Sequence, residues 1–335
     1  MKSPILVAAM ALLVSLTACM HSRPRAAPIS SAAIALHTDD IDRFWIAFDA
    51  VQATTDPDLQ RTTFQSLYLD RGSPGLEAFM EAKGYTIDDW LQAIHRYPRF
   101  WTTIRPRTRL GTQALVRTQD HLARLKALYP NLRPAGVYFE VGALRSAGTT
   151  QADKVLIGVE MATGDDTVDV SEMAPGLQRF FRTYFASRPL DNLDLLITHE
   201  VVHTQQTGPR QDLLSQAVYE GVADFVAEQA AGRLPDLPYV AYGPDHDAAI
   251  KAAFRKDMEG SDFSGWLYNG ADGAFGVADL GYYVGYEIVR RYYERASDKS
   301  AAITRMIELD YSDPAAVRRF VAASGYFDEP VETRS

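Results

Sequence analysis

The run His199-Glu200-Val201-Val202-His203 places two imidazoles four residues apart, with a carboxylate directly after the first. Its apolar neighbours Leu193, Leu195, Leu196, Ile197, Val201 and Val202 predict a helix, which Asp191 or Asn192 can cap and Gly208-Pro209 must end. On a helix, positions i and i+4 project from one face on successive turns, so His199 and His203 can bind one tetrahedral metal ion. Glu200 points about 100° around the helix from His199. It therefore stands beside such an ion rather than on it, where a general base must sit to take a proton from metal-activated water. Two histidines on an exposed helix face would be the plainer explanation, but these flanks are apolar, and buried imidazole or carboxylate groups need partners that a metal would supply.

A second element strengthens the pattern. Leu213, Leu214, Ala217 and Val218 lead at helical period into Glu220-Gly221-Val222-Ala223-Asp224-Phe225, which puts Glu220 and Asp224 on one face a turn apart. Glu220 can be the third protein ligand. Asp224 can accept the outer ring proton of a ligand histidine, a bond that fixes the tautomer and raises ligand basicity. Gly221 and Ala223 are small enough for the two motif-bearing helices to approach closely.

Other polar clusters carry less. Asp165, Asp166 and Asp169 lack the glycine and distal glutamate of a calcium loop and read as a solvated turn. Asp245-His246-Asp247 reads as a hydrogen-bonded loop, and His37, His95 and His121 have no metal-ligand spacing.

The elements that must position these groups are mostly helical. Ile41, Phe44, Trp45, Phe48 and Val51 fall at helical spacing behind Thr38 and Asp39, Ser73-Pro74 opens a helix that Gly84 closes, and Thr86 with Asp89 forms a capping-box signal. Leu115, Leu122, Leu125 and Leu128 mark a longer helix. Val137 to Val141 and Val155 to Val159 are short β-branched runs, predicting two strands joined by the small-residue stretch Gly142 to Thr150. Beyond Leu190 the pattern reads as helical to the C-terminus.

The chain of 335 residues is 47% hydrophobic and 23% charged, an ordinary globular composition that excludes collagen, coiled coil and wholesale disorder. Forty-three acidic against thirty-four basic side chains give a net charge of −9, a field that repels phosphate backbones and argues against nucleic acid as a partner. The single cysteine, Cys19, can make no internal disulfide. It follows a basic start at Lys2, an apolar run from Ile5 to Leu16 too short to span a bilayer, and small residues, which is signal-peptide layout. Residues 1–18 thus read as a signal peptide, 19–35 as a flexible tether and 36–335 as one folded domain.

Leu16-Thr17-Ala18-Cys19 resembles the lipobox of bacterial lipoproteins. That resemblance implies cleavage before Cys19, lipid on its sulfur and new amino terminus, and a place in the cell envelope. With Met20 following, it implies the outer membrane, facing the periplasm, in a Gram-negative host. The helical His-Glu-x-x-His followed by Glu220-x-x-x-Asp224 resembles the thermolysin-like, or gluzincin, metallopeptidases. The longer string Thr198-His199-Glu200 to Gln205-Gln206, then Glu220 to Phe225, is similar to a bacterial family of predicted zinc-dependent proteases related to gliding-motility lipoprotein B. Looser matches cover Gly142 to Thr150, Leu156 to Glu160 and Gly281 to Gly285.

These resemblances imply an α+β, predominantly helical fold with a thermolysin-like zinc-helix core and a small sheet above it. They imply one zinc per chain on His199, His203 and Glu220, Glu200 as base, and a peptide or protein substrate added to an edge strand, which Arg145 and Ser146 could face, a plain surface loop being the simpler explanation for each. A tetrahedral intermediate also needs a donor opposite the metal. Tyr282, Tyr283, Tyr286 and His246 are the candidates, with Tyr283 preferred because it shares a helix with Gly281 and Gly285. The rival expectation is a non-catalytic envelope lipoprotein that keeps a structural zinc and works by binding partners.

Overall fold

The computed structural model describes residues 34–269, 273 and 275–328. Cys19 and the signal segment lie outside them. In chain order the elements are β1 (Ile34–His37), α1 (Asp39–Gln52), α2 (Pro57–Phe64), α3 (Pro74–Lys83), α4 (Ile87–Arg96), α5 (Pro98–Thr108) and α6 (Leu115–Leu128). Then follow β2 (Ala135–Glu140), β3 (Thr149–Gln151), β4 (Lys154–Gly158), α7 (Val159–Ala162), α8 (Pro175–Ala186), α9 (Leu193–His203) and α10 (Leu213–Ala231). The chain closes with α11 (Pro238–Asp257), α12 (Leu280–Arg295), α13 (Lys299–Ile307) and α14 (Pro314–Ser324). The protein is α+β and mostly helical.

The local signals of α3 and α4 act where the spacing puts them, whereas the Thr38 side chain makes no capping bond to α1. Ser73 accepts from the amides of Gly75 and Leu76 to cap α3, and Gly84 ends that helix in the left-handed region at φ 61°. Thr86 and Asp89 form the expected capping box on α4. Phe44, Trp45, Phe64, Tyr68, Trp90 and Trp101 are at most 2% exposed and meet edge to face or tilted, so the aromatic stripes of α1, α2, α4 and α5 are core. That core is bolted to the sheet where the Tyr68 hydroxyl and the Trp90 indole both donate to the Val141 carbonyl, at 2.8 and 3.0 Å.

The sheet has four strands in the order β1-β2-β4-β3. β1, β2 and β4 are parallel, and β3 runs antiparallel to β4 at the edge of the sheet among the described residues. Two strands therefore lie where none was expected. β1 begins at Ile34, inside the stretch read as tether, and β3 occupies the end of the stretch read as a connecting loop. Both are three or four residues long, too short to show a period of their own, and exist because a longer neighbour pairs with them. The C-terminal half also departs from continuous helix, since no helix covers the stretch between Asp257 and Leu280 among the described residues.

α9 packs beneath β3 and β4 and against α6 and α10, and α10 packs in turn on α12. Enclosed by these elements, α9 has no exposed residue, and Leu193, Ile197, Val201 and Val202 are fully buried. The α10–α12 contact is backbone to backbone: a Cβ on Gly221 would lie 2.0 Å from the Gly285 carbonyl carbon, and one on Gly285 would lie 1.8 Å from the Ala217 carbonyl oxygen. Gly221 is thus small for the sake of α12, not for the approach of α9 and α10. No helix among the described residues is long and apolar enough to cross a membrane.

Candidate metal centre

Leu193 starts α9 behind a short 3-10 turn, Pro189–Asn192, and the Asn192 side chain makes no capping bond. The helix ends at His203, where the Arg133 guanidinium donates to the Thr204 and Gln205 carbonyls at 2.8 Å each, so a cation satisfies the exposed carbonyl end before Gly208 is reached. Asp212 then caps α10 through the Ser215 amide at 2.7 Å. These two stops set the register of the facing turns that carry the polar groups.

His199 Nε2, His203 Nε2 and Glu220 Oε2 converge between the two helices. The two nitrogens are 2.9 Å apart, and the oxygen is 3.0 Å from His203 and 3.3 Å from His199. Among the described residues this is the group of histidine, cysteine and acidic side chains that could hold a metal ion, and all three members are buried. An ion about 2.0–2.1 Å from three tetrahedrally placed donors needs them roughly 3.3–3.4 Å apart, close to what is found.

The hydrogen bonds behind the cluster decide its chemistry. His199 Nδ1 lies 2.8 Å from Asp224 Oδ1, an acceptor, so the ring donates there. Gln206 Nε2 donates to the Tyr219 carbonyl at 3.0 Å and to the Tyr311 hydroxyl at 2.8 Å, which leaves Gln206 Oε1 to accept from His203 Nδ1 at 2.6 Å. In their neutral form both imidazoles thus keep the proton on Nδ1, and both Nε2 atoms present lone pairs to each other and to a carboxylate. Three acceptors facing one another require a cation, and an N2O donor set of this size suits zinc.

Without a metal, a proton is the cation these acceptors share. Burial alone pushes the His199 imidazolium down, but the Asp224 and Glu220 carboxylates outweigh it and hold the metal-free ring well above the usual histidine value. Burial likewise raises Glu220, and the two histidines overcome it to bring the carboxyl well below its ordinary value.

Glu200 follows His199 on α9 and is 8% exposed. Its Oε2 accepts from the Thr150 hydroxyl of β3 at 2.7 Å, and the same hydroxyl lies 3.0 Å from the Glu200 carbonyl oxygen. Lys83, the last residue of α3, is half-buried; burial lowers its ammonium, and the nearby Glu200 charge partly restores it. The structure therefore brings together His199, His203, Glu220, Asp224 and Glu200 as their spacing suggests.

It does not bring Tyr283 to them. Gly281 and Gly285 form the face of α12 that packs closely, and Tyr283 is about 200° around the helix from Gly281. Its ring packs over Gly243 of α11, and its hydroxyl donates to Asp247 at 3.2 Å. Tyr286 bonds Glu228, and His246 stacks on Tyr242, so neither faces the cluster. Tyr282 does, with its ring 6.3 Å from that of His199. Arg145 is likewise committed, donating to Asp89 and to the carbonyls that end α3, and Ser146 donates to Gly148. Asp245-His246-Asp247 lies on α11 rather than in a loop, where Asp247 accepts from Tyr326 at 2.8 Å. Asp165 and Asp169 form the expected turn, each accepting from a hydroxyl two residues on.

Sequence reasoning missed five contacts to the cluster, one of them Gln206 on His203. Besides Thr150, the Tyr239 hydroxyl donates to Asp224 Oδ2 at 2.8 Å, and Gln216 and Tyr268 both donate to Glu220 Oε1, at 2.9 and 2.6 Å. Gln216 and Gln206 carried a signal, since one stands a helical turn before Glu220 and the other three positions after His203.

Residues 176–311 match the model of a family described as Predicted Zn-dependent protease (DUF2268). The match contains every residue of the cluster and Tyr239, Tyr268, Tyr282 and Tyr311, but not the sheet or Thr150. No curated protein and no solved structure matches the chain.

Proposed function

We propose that this protein is a zinc-dependent peptidase with a thermolysin-like catalytic core, anchored to a bacterial envelope membrane by lipid on Cys19. The observation that carries the enzymatic part is the meeting of three lone-pair donors, His199 Nε2, His203 Nε2 and Glu220 Oε2, one residue away from Glu200. The family description supports the same reading.

Zinc held there would supply Lewis acidity to a scissile carbonyl and to water. The chain's own groups supply the rest. Thr150 donates to Glu200 Oε2, which orients the carboxylate that takes a proton from the attacking water and passes it to the leaving amine. Asp224 and Gln206 hold the two imidazoles in the tautomer that keeps Nε2 free. An extended peptide can pair with the edge strand β3, and Thr150 on that strand would bring it alongside Glu200.

A zinc kept for structure alone usually closes its shell with four protein ligands. Among the described residues the group has three, and a structural role would leave Glu200 without a task. The lipobox supports export and lipidation, hence the outer membrane facing the periplasm if the host is Gram-negative. The net charge of −9 supports a peptide or protein substrate over nucleic acid.

Glu200→Gln keeps the size of the side chain and loses the base. Mature protein carrying it should retain one zinc, while cleavage of a peptide library falls by about 10² to 10⁴. A Glu200→Gln protein that keeps its zinc and restores a deletion strain as well as wild type does would remove the peptidase reading in favour of a partner-binding lipoprotein.

A further inference from the structure

Glu220 has two carboxylate oxygens, and only Oε2 faces the histidines. Oε1 is fully engaged: the Gln216 amide donates to it at 2.9 Å and the Tyr268 hydroxyl at 2.6 Å, which uses both of its in-plane lone pairs. The orientation of the Gln216 amide is not arbitrary. Its Oε1 accepts from Arg210 Nε at 2.9 Å, so the NH2 must face the carboxylate, and its second proton reaches the Tyr268 oxygen at 2.8 Å. Arg210 also lies 4.0 Å over the ring of Tyr219, which stacks within 5° of parallel on His203 at 4.3 Å. One guanidinium thus braces the partners of two ligands.

Tyr268 is placed for this contact at some conformational cost. It is 62% exposed, yet its hydroxyl points inward, and its backbone sits in the left-handed region at φ 59°. The loop that carries it is pinned by a reciprocal pair, Asn269 N to Asp279 Oδ1 at 3.2 Å and Asp279 N to Asn269 Oδ1 at 2.9 Å, and by Gly281 N donating to the Trp266 carbonyl at 2.8 Å. A strained residue held by paired anchors with its polar end on a ligand is what a built contact looks like.

We infer that Arg210, Gln216 and Tyr268 form a clamp that restricts Glu220 to one-oxygen ligation and thereby keeps a coordination position open for water. The inference rests on the metal-site reading above and extends it. A carboxylate free to rotate can bind through both oxygens and crowd that position with a fifth donor; with Oε1 held by two donors it cannot. These are positioning residues, acting on the ion through Glu220.

Cobalt(II) is the probe, because its visible absorption is intense in four-coordinate sites and weaker when a fifth ligand joins. Full-length mature protein, stripped of metal and titrated with cobalt, should take up one equivalent with the intense four-coordinate spectrum. Tyr268→Phe keeps the ring of a mostly exposed residue and should fold normally. It should show the weaker five-coordinate bands, with cobalt affinity lowered on the order of 10 to 100-fold. Arg210→Met, which frees the Gln216 amide to turn, should change the spectrum in the same direction. One equivalent of cobalt with the wild-type spectrum in both variants overturns the clamp and leaves the metal site standing. A wild-type protein that takes up no cobalt overturns the metal site and the clamp together.

Discussion

Thr150 and Glu200 are fifty positions apart and on different kinds of element, yet the hydroxyl of one lies 2.7 Å from the carboxylate of the other. This bond ties the edge strand on which an extended peptide could pair to the carboxylate that would move the proton. Substrate alignment and base alignment would then share one side chain.

Thr150→Val keeps the β-branched shape that β3 favours and removes the donor. A lost hydrogen bond to a charged group costs about 1.5–3 kcal/mol, so the turnover of a cleaved peptide should fall at least tenfold with zinc content unchanged, and Thr150→Ser should restore most of it. Turnover measured with metal content on the same samples checks this. A Thr150→Val protein as active as Thr150→Ser would detach Thr150 from the base.

Asp224 accepts from His199 Nδ1, so its loss should weaken metal binding without abolishing it. Asp224→Ala should bind zinc on the order of 10 to 100-fold more weakly, whereas His203→Ala should lose the stoichiometric ion. Competition titration against a chelator separates the two, and equal affinity in wild type and Asp224→Ala would place Asp224 outside the site.

Glu160, which bonds none of the cluster residues, predicts a pH dependence of stability. Burial raises its carboxyl from the ordinary 4.5 to about 7, against the opposing pull of the Gly142 and Leu144 amides that it accepts from. Between these two values the folded protein binds more protons than the unfolded chain, so this contribution is complete below pH 4.5 and is lost as pH rises to about 7. The loss amounts to roughly 3 kcal/mol at most, taking about 1.4 kcal/mol per pH unit. Burial and the neighbouring Asp40 and Glu160 also raise Glu140, whose two oxygens have no hydrogen-bond partner, and this adds to the decline in the same direction. Denaturant midpoints from pH 5 to 8 should therefore fall in wild type and flatten below pH 7 in Glu160→Gln. An unchanged slope in that variant would refute the assignment.

Cys19 lies outside the described residues, and its role is testable by labelling. Cys19→Ser should abolish incorporation of labelled fatty acid and leave an unprocessed precursor. Normal maturation with label still incorporated would end the lipoprotein reading.

The sequence by itself determined the groups that act through helical spacing. His199 with His203, and Glu220 with Asp224, are each one turn apart, and a helix converts four positions of sequence into one face without help from the rest of the fold. The caps of α3 and α4 and the aromatic stripes of the N-terminal helices were legible for the same reason: their geometry is set within a few residues.

Tertiary structure decided whatever depends on which face meets which neighbour. Gly221 and Gly285 advertise a close approach but not its partner, and once α12 turns that face to α10, Tyr283 is carried to Asp247 and Tyr282 toward His199. Thr150 and Tyr268 reach the centre across 50 and 48 positions of sequence, where no local period links them to Glu200 or Glu220. β1 and β3 are too short to be strands alone and become so only when β2 and β4 supply hydrogen-bond partners, since a backbone ladder belongs to two chain segments and is encoded in neither.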